Sequence, residues 1–220
     1  MIKACIFDLD GTLADTLESM AVSTNKVLKP LGYGPLPTEN FRYYAGDGAR
    51  MLVQRALTDA GDRKLVHLDS AYAAYSEIFS KDCTYKVTVF DGMRQTLETL
   101  KAMGMKLAVL SNKPHAQTKE VIRTLFGDGL FDWVQGQQEK KPDPSGALAI
   151  AKVFGVNTEA CMYIGDTNVD MQTGNRAGMF TVGVLWGFRT RQELMENHAH
   201  ALAEKPEDLI RLCGCKTEKK

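Results

Sequence analysis

The sequence predicts an α/β protein in which a parallel β-sheet is flanked by helices and carries an inserted helical domain. Three observations predict this class. Short apolar runs without strict alternation suit strands that are covered on both faces of a sheet. Segments with helical spacing separate these runs, which is the strand–helix alternation of an α/β fold. One block of consecutive helical segments interrupts the alternation and indicates an insertion.

The first strand and the insertion occupy the N-terminal part of the chain. Residues 2–9 form the first apolar run, and no convincing strand follows within residues 15–88. We therefore expect a core domain of residues 1–14 and 89–215, and a helical cap domain of residues 15–88 whose two connections act as hinges. The helical patterns of the cap cover 18–31, 49–60 and 65–80.

Strands and helices alternate in the rest of the chain. Each predicted strand is followed by a helix, so the strands are expected to run parallel. The further strands are predicted at 105–112, 131–136, 160–166 and 179–187, and the helices at 94–103, 117–126, 145–154 and 169–178.

The composition narrows the functional classes. With 27 basic and 27 acidic side chains among 220 residues, we expect no nucleic-acid partner. No apolar run approaches the roughly 20 residues that cross a bilayer, and no secretory signal is visible, so we expect no membrane span and a cytoplasmic location. The five cysteines give no disulfide framework. Cys5 and Cys161 are expected in the core, and Cys213 and Cys215 in an exposed tail. The oligomeric state stays open.

Acidic residues follow two of the predicted strands. Asp8 and Asp10 end the first apolar run, and Asp166 and Asp170 follow the fourth. Because ligands of parallel α/β sheets bind at the carboxyl ends of the strands, these residues are candidates for one site. Converging carboxylates repel one another in a partly dehydrated cleft and need a cation. Oxygen ligands suit Mg²⁺, and the absence of a nearby His or Cys argues against zinc.

Other residues at the same edge suit the transfer of a phosphoryl group. An aspartate such as Asp8 can act as a nucleophile and form an aspartyl-phosphate. Gly11 permits a tight turn whose N–H groups face an anion, and Thr12 and Ser111 offer hydroxyl donors. Lys141 can neutralise charge on the transferring group. An Asp-x-Asp after a strand can also be only a turn or a helix cap.

Four motifs in order carry a family resemblance. They are FDLDGTL (7–13), LSN (110–112), KKPDP (140–144) and IGDTNVD (164–170). Together they resemble the motifs of the haloacid dehalogenase superfamily. The resemblance implies a Rossmann-like core, and the helical insertion after the first motif is similar to the type-1 cap of that superfamily.

The resemblance implies a role for each catalytic residue. Asp8 corresponds to the nucleophile, and Asp10 to the general acid that protonates the leaving group and then activates water. Ser111 would bind the phosphoryl oxygens, with Asn112 beside it. Lys141 would hold Asp8 and the phosphate, although Lys140 is a competing candidate for this role.

The resemblance also implies a metal site. Asp166 would bind Mg²⁺ beside Asp8 and the backbone carbonyl of Asp10. Asp170 would act through water or would support the other ligands. Gly11 and Thr12 would contact the phosphate of the substrate.

A segment of the cap narrows the resemblance. Residues 44–57, which begin YAGDGARMLV, look like the corresponding segment of phosphoglycolate phosphatases. That likeness implies that Gly46, Asp47, Gly48 and Arg50 face the cleft and recognise a small anionic leaving group. A loop between two cap helices is the plain alternative.

The leading hypothesis is a Mg²⁺-dependent phosphatase that acts on a small phosphorylated metabolite, phosphoglycolate being the first candidate. A phosphomutase, a sugar-phosphate phosphatase and a pyrophosphatase of the same superfamily are the alternatives. A non-catalytic module that senses phosphate belongs to a different class, and loss of Asp8 or Asp10 would be its mark. Both residues are present.

Overall fold

The computed structural model describes residues 1–214, which contain eight strands. Six of them form one sheet in the order β5–β4–β1–β6–β7–β8, and every neighbouring pair is parallel. The strands are β1 (Ala4–Phe7), β2 (Ala14–Asp15), β3 (Thr88–Val89), β4 (Lys106–Pro114), β5 (Trp133–Gln137), β6 (Cys161–Gly165), β7 (Phe180–Val184) and β8 (Ala201–Ala203).

Ten α-helices accompany the strands within these residues. The α/β class, the parallel sheet and the helical cap predicted from the sequence are confirmed. The segments that the sequence did not reveal are the short ones, which span too few residues for a periodic pattern. They are the strands β2, β3 and β8 and the helices at Phe41–Tyr44, Arg191–Glu196 and Asp208–Gly214. The helices are α1 (Leu17–Leu28), α2 (Phe41–Tyr44), α3 (Ala49–Ala60), α4 (Leu68–Asp82), α5 (Met93–Ala102), α6 (His115–Phe126), α7 (Ser145–Phe154), α8 (Asn168–Arg176), α9 (Arg191–Glu196) and α10 (Asp208–Gly214).

Strand β1 is buried on both of its faces. Cys5 and Phe7 point into one apolar cluster of the core, and Ala4 and Ile6 into the other. None of these four side chains is exposed. Residues of opposite parity along a strand face opposite sides of the sheet, so β1 needs apolar side chains at every position. This explains why its sequence is a continuous apolar run.

The position of β1 in the sheet determines where a ligand can bind. The chain adds β4 and β5 on one side of β1 and then β6, β7 and β8 on the other. The connections therefore leave β1 in opposite directions, which opens a crevice at its carboxyl end. Asp8 is the first residue after the strand.

The cap consists of α1 to α4 and lies between β2 and β3. These two strands pair antiparallel, with Ala14 opposite Val89 and Asp15 opposite Thr88. The two connections between cap and core therefore run side by side. Each strand has only two residues, which is why the sequence showed no strand there. The domain boundaries at 14/15 and 88/89 stay a prediction.

The C-terminal segment corrects one expectation. Cys213 was expected in an exposed tail, but it is buried in α10, and its Sγ lies 3.5 Å from Sγ of Cys5. Leu209 and Cys213 are four residues apart and cover the sheet with one face of a single helical turn. Cys5 and Cys161 are buried as expected. Cys215 lies outside the described residues. Among residues 1–214, none of the helices has the length and apolarity that a bilayer crossing demands.

Candidate active site

Three buried aspartates meet at the carboxyl end of the sheet. One carboxylate oxygen each from Asp8, Asp166 and Asp170 lies within 4.8 Å of the others. Asp8 follows β1, Asp166 follows the neighbouring strand β6, and Asp170 lies in the first turn of α8. The parallel pairing of β1 with β6 thus brings together residues that are more than 150 positions apart.

A single buried lysine connects two of these aspartates. Nζ of Lys141 lies 2.8 Å from Oδ1 of Asp8 and 2.7 Å from Oδ1 of Asp170. Lys140, the competing candidate, is exposed to solvent. Geometry therefore brings Lys141, and not Lys140, into the cluster.

The protonation of the cluster reflects its burial. Burial and the charge of Asp170 raise the pKa of Asp8 to about 7, although Lys141 opposes this rise. Burial, with the charges of Asp170 and Asp8, also raises the pKa of Asp166 well above its ordinary value. Burial alone would lower the pKa of Lys141, but Asp170 and Asp8 outweigh it and keep the pKa well above the ordinary value. One lysine thus leaves the carboxylates undercompensated.

The donor set fits a divalent cation. Asp8, Asp166 and Asp170 offer only carboxylate oxygens, which are the ligands that Mg²⁺ prefers. The carboxylate of Asp10 does not belong to this group of three. The predicted contact of Asp10 with the metal, through its backbone carbonyl, stays a prediction. A divalent cation there would offset the negative charge that, together with burial, raises the two pKa values.

Asp170 is fixed by a capping box at the start of α8. Its Oδ2 accepts hydrogen bonds from the backbone N–H of Thr167 at 3.1 Å and from Thr167 Oγ1 at 2.7 Å. The Asp170 N–H in turn donates to Thr167 Oγ1. The two side chains thus accept hydrogen bonds from backbone N–H groups that the start of a helix would leave without a partner. The other oxygen of Asp170 is therefore directed at Lys141.

Asp166 is fixed from two sides. Thr12 Oγ1 donates to its Oδ1 at 3.0 Å, and the backbone N–H of Phe188 donates to its Oδ2 at 2.8 Å. Gly11 has a φ of +82°, and a Cβ at this position would collide with the Asp166 carboxylate. Gly187 packs as closely on Asp166.

Gly11 and Thr12 lie against Asp166, and the hydroxyl group of Thr12 helps to orient it. Their predicted contacts with the phosphate of the substrate stay a prediction. The segment around Phe188 was missed as part of the site, because a backbone N–H leaves no mark in the sequence. Gly187, the last residue of the apolar run that contains β7, is the one sequence signal of a close approach there.

Asp10 faces a lysine that sequence reasoning did not identify. Its Oδ1 lies 3.0 Å from Nζ of Lys113, whose side chain is only 3% exposed. Lys113 follows Ser111 and Asn112 in β4. A lysine directly after a predicted active-site motif was the available signal, but a single lysine at a strand end is more often solvated.

Asn112 ties the core to the cap. Its Nδ2 donates to the backbone oxygens of Gly46 and Lys141, and its Oδ1 accepts from the backbone N–H of Lys141 at 2.8 Å. Asn112 thus positions Lys141, and its predicted contact with the substrate stays a prediction. Ser111 Oγ accepts from the backbone N–H of Lys113 and lines the cavity described below.

Only part of the predicted cap segment reaches the cleft. Gly46 and Gly48 line the cavity. Asp47 instead pairs with Arg55 at 2.6 Å. The Arg50 side chain is 51% exposed and pairs with Asp69 at 2.7 Å, outside the cavity. The structure thus does not bring Asp47 or Arg50 to the aspartates, because Asp47, which precedes α3, pairs with Arg55, and Arg50 in the first turn of α3 pairs with Asp69.

A small cavity lies between the cap and the carboxyl ends of the strands. Its volume is about 40 Å³, a few times the roughly 10–15 Å³ that one water molecule needs. Asp8, Asp10 and Ser111 form its polar floor. The cap closes it with Met20, Ala45, Gly46, Gly48, Ala49, Leu52, Tyr75 and Phe79, and Asn112, Lys113 and Pro114 complete the lining.

Aspartates and a lysine gathered where β1 ends suit one class of protein, the capped α/β enzymes that act on phosphate groups. A family model described as haloacid dehalogenase-like hydrolase matches residues 5–184. The chain belongs to this family.

Known relatives agree with this assignment. A phosphoglycolate phosphatase from Aquifex aeolicus is 33% identical over 218 residues, a match that covers 96% of this chain and 96% of the relative. A phosphoglycolate phosphatase from Psychrobacter arcticus is 32% identical over 199 residues and covers 87% and 86% of the two chains. A solved structure from Lactobacillus delbrueckii, provisionally assigned as a phosphoglycolate phosphatase, superposes with a TM-score of 0.89 at 28% identity and covers 96% and 98%. The chain is a phosphatase of the haloacid dehalogenase type, an enzyme that hydrolyses phosphate monoesters.

Proposed function

We propose that this enzyme is a Mg²⁺-dependent phosphatase that hydrolyses a small phosphate monoester, phosphoglycolate, through an aspartyl-phosphate on Asp8. The observation that carries the proposal is the contact of Asp8 with Lys141 inside the aspartate cluster, at the floor of the cavity beneath the cap. The names of the two curated relatives support the choice of phosphoglycolate.

The metal site is part of the proposal. Asp8, Asp166 and the backbone carbonyl of Asp10 would hold Mg²⁺, with Asp170 in support. The cation, when bound, would supply positive charge against the phosphoryl oxygens and the aspartates. Thr12 and the Phe188 N–H keep Asp166 oriented for this task.

The first step in this mechanism is attack by Asp8. Its carboxylate oxygen forms a bond to phosphorus while the bond between phosphorus and the ester oxygen breaks. Lys141 neutralises charge on the phosphoryl group and holds Asp8 in line, and Ser111 donates to a phosphoryl oxygen. Asp10 gives its proton to the leaving oxygen, which departs as an alcohol.

The second step returns the enzyme to its starting state. Asp10, now ionised, takes a proton from water, and the resulting hydroxide attacks phosphorus. The acyl-phosphate bond breaks, inorganic phosphate leaves, and Asp8 is a carboxylate again. The apolar cap residues above the site exclude bulk water during the transfer.

A substrate screen tests this function. Purified enzyme with Mg²⁺ is offered phosphoglycolate, hexose phosphates, nucleotides and pyrophosphate, and free phosphate is measured. The proposal predicts the highest kcat/KM for phosphoglycolate. A hexose phosphate that isomerises without release of phosphate would identify a mutase instead. No turnover of any ester by folded enzyme would favour a phosphate-sensing module. The cytoplasmic location and the absence of a nucleic-acid partner stay predictions from the sequence.

A further inference from the structure

Lys113 is a buried cation that the mechanism above does not use. Its Nζ lies 3.0 Å from Asp10 Oδ1 and 4.5 Å from the centre of the Phe79 ring in the cap helix α4. Burying a lysine is unfavourable unless its charge is compensated. A single carboxylate and an aromatic face provide part of that compensation. Because this compensation is incomplete, we expect the positive charge of Lys113 to have a function of its own.

Lys113 is the only cationic side chain among the described residues that line the cavity. Lys141 lies beneath the floor, where Asp8 and Asp170 engage it. Arg50 and Arg55 pair with Asp69 and Asp47, away from the cavity. An anionic leaving group in this cavity therefore has one cation to bind, and that cation comes from the core and not from the cap.

Lys113 is placed to bind a negatively charged group of the substrate close to the scissile bond. Asp10, as the proposed acid, must reach the ester oxygen that leaves. Nζ of Lys113 is in ion-pair contact with the same carboxylate, so an anionic group one carbon away from that oxygen comes within its reach. An ammonium group has three N–H donors and can therefore contact Asp10 and a substrate carboxylate together.

The cap side of the cavity also favours the binding of a carboxylate by Lys113. Met20, Leu52 and Phe79 of the cap present apolar surface to the cavity. Charges interact more strongly where water and polar groups are scarce. These three side chains give no hydrogen bonds to the several hydroxyl groups of a sugar, and Tyr75 is the one cap side chain of the lining with a hydroxyl group. The wall therefore favours a leaving group with few hydroxyl groups.

We propose that Lys113 determines specificity by binding the carboxylate of a small acid whose phosphoryloxy group is on the neighbouring carbon. This inference deepens the proposed function and rests on it for the reaction itself. The competing role for Lys113 is the neutralisation of Asp10 alone, which would affect every substrate equally. Discrimination between a charged and a neutral leaving group therefore separates the two roles.

The test compares two substrates of nearly equal size. Phosphoglycolate has the carboxylate, and 2-hydroxyethyl phosphate has a neutral hydroxyl in its place. The wild-type enzyme is expected to prefer phosphoglycolate by about 10- to 100-fold in kcat/KM, the effect of a hydrogen bond to a charged group. Lys113→Met is expected to bring this ratio close to one, and Lys113→Arg to keep most of it. Any common effect through Asp10 cancels in the ratio.

Controls secure the interpretation. Lys119→Met removes an exposed lysine from α6 and is expected to leave the ratio unchanged. Lys113→Gln replaces Lys113→Met if that variant does not fold, as judged by circular dichroism. An unchanged ratio in a folded Lys113→Met or Lys113→Gln variant would overturn the inference, as would equal activity of the wild type on both substrates.

A binding experiment keeps the inference separate from the proposed function. Asp8→Asn enzyme should bind without turnover, so the affinities of both esters are measured calorimetrically with Asp8→Asn and with the double variant Asp8→Asn/Lys113→Met. A preference for phosphoglycolate that disappears in the double variant supports the role of Lys113, even if the wild type hydrolyses neither ester and the proposed function fails. The same preference in both variants would contradict it.

Discussion

Replacing Asp8 by Asn is expected to stabilise the metal-free protein while it abolishes turnover. Asp8 is buried beside Asp170 and Asp166, and these like charges are offset only in part by Lys141. Asparagine has almost the same volume, so no cavity forms. Lys141 also keeps its contact with Asp170. The substitution therefore removes a charge that is costly in the folded state, together with the proposed nucleophile.

The raised pKa of Asp8 gives the magnitude of the stabilisation expected for Asp8→Asn. It rises from 3.8 to about 7 because of burial and the charge of Asp170, so the folded protein holds this proton more tightly than the unfolded chain. The free-energy penalty of the buried charge is absent at pH values below 3.8 and complete at pH values above about 7. This rise in the pKa of Asp8 corresponds to about 4 kcal/mol at most. The gain from Asp8→Asn should thus be near zero at about pH 4 and approach this limit at about pH 8.

Urea denaturation in the presence of EDTA measures this difference. The free energy of unfolding is determined for the wild type and for Asp8→Asn across that pH range. Asp91→Asn is the control, since Asp91 is exposed and its replacement should change stability by no more than about 0.5 kcal/mol at any pH. Equal effects of Asp8→Asn at both ends of the range, or a loss of stability at the higher pH, would refute the electrostatic reasoning.

Three further predictions concern the same site. Gly11→Ala should destabilise the fold by more than Gly104→Ala. Gly104 also has a positive φ but no atom nearby, so its replacement should cost only the backbone strain of roughly 1–2 kcal/mol. Equal losses of stability in denaturation would contradict the contact of Gly11 with Asp166. Lys141→Met should abolish turnover and cost roughly 3–5 kcal/mol because it leaves buried carboxylates without a partner, whereas Lys140→Met should change neither in the same assays. Chelation should stop phosphate release and added Mg²⁺ should restore it, while cysteine alkylation of the native protein should leave activity intact; persistence of activity in EDTA would argue against the metal.

The strand ends were accessible to sequence reasoning because parallel strands converge there. Asp8, Asp166 and Lys141 are far apart in the chain, yet the position of each relative to an apolar run or a motif placed it at one edge of the sheet. Their proximity in the structure follows from the parallel pairing of β1 with β4 and β6 and of β4 with β5, the strand that precedes Lys141. This part of the site depends on local patterns, which a single sequence contains.

The orientation of the cap was not accessible in the same way. Arg50 was expected in the cleft, but its direction depends on how α3 packs against the other helices of the cap, and it pairs with Asp69. Lys113 faces the cavity because β4 continues past Ser111 before α6 begins. Likewise, Cys213 is buried because α10 packs on Cys5, more than 200 residues away in the chain. Such contacts between distant segments have no periodic signature.

Identification of the phosphorylated residue is the decisive test of Asp8 as the nucleophile. Enzyme with Mg²⁺ is mixed with labelled phosphoglycolate, quenched in acid within one turnover and reduced with borohydride, which converts an aspartyl-phosphate to homoserine. Mass spectrometry then locates the modified position. We expect homoserine at position 8 in the wild type and none in Asp8→Asn. Phosphate on another side chain, or rapid phosphate release with position 8 never modified, would contradict it.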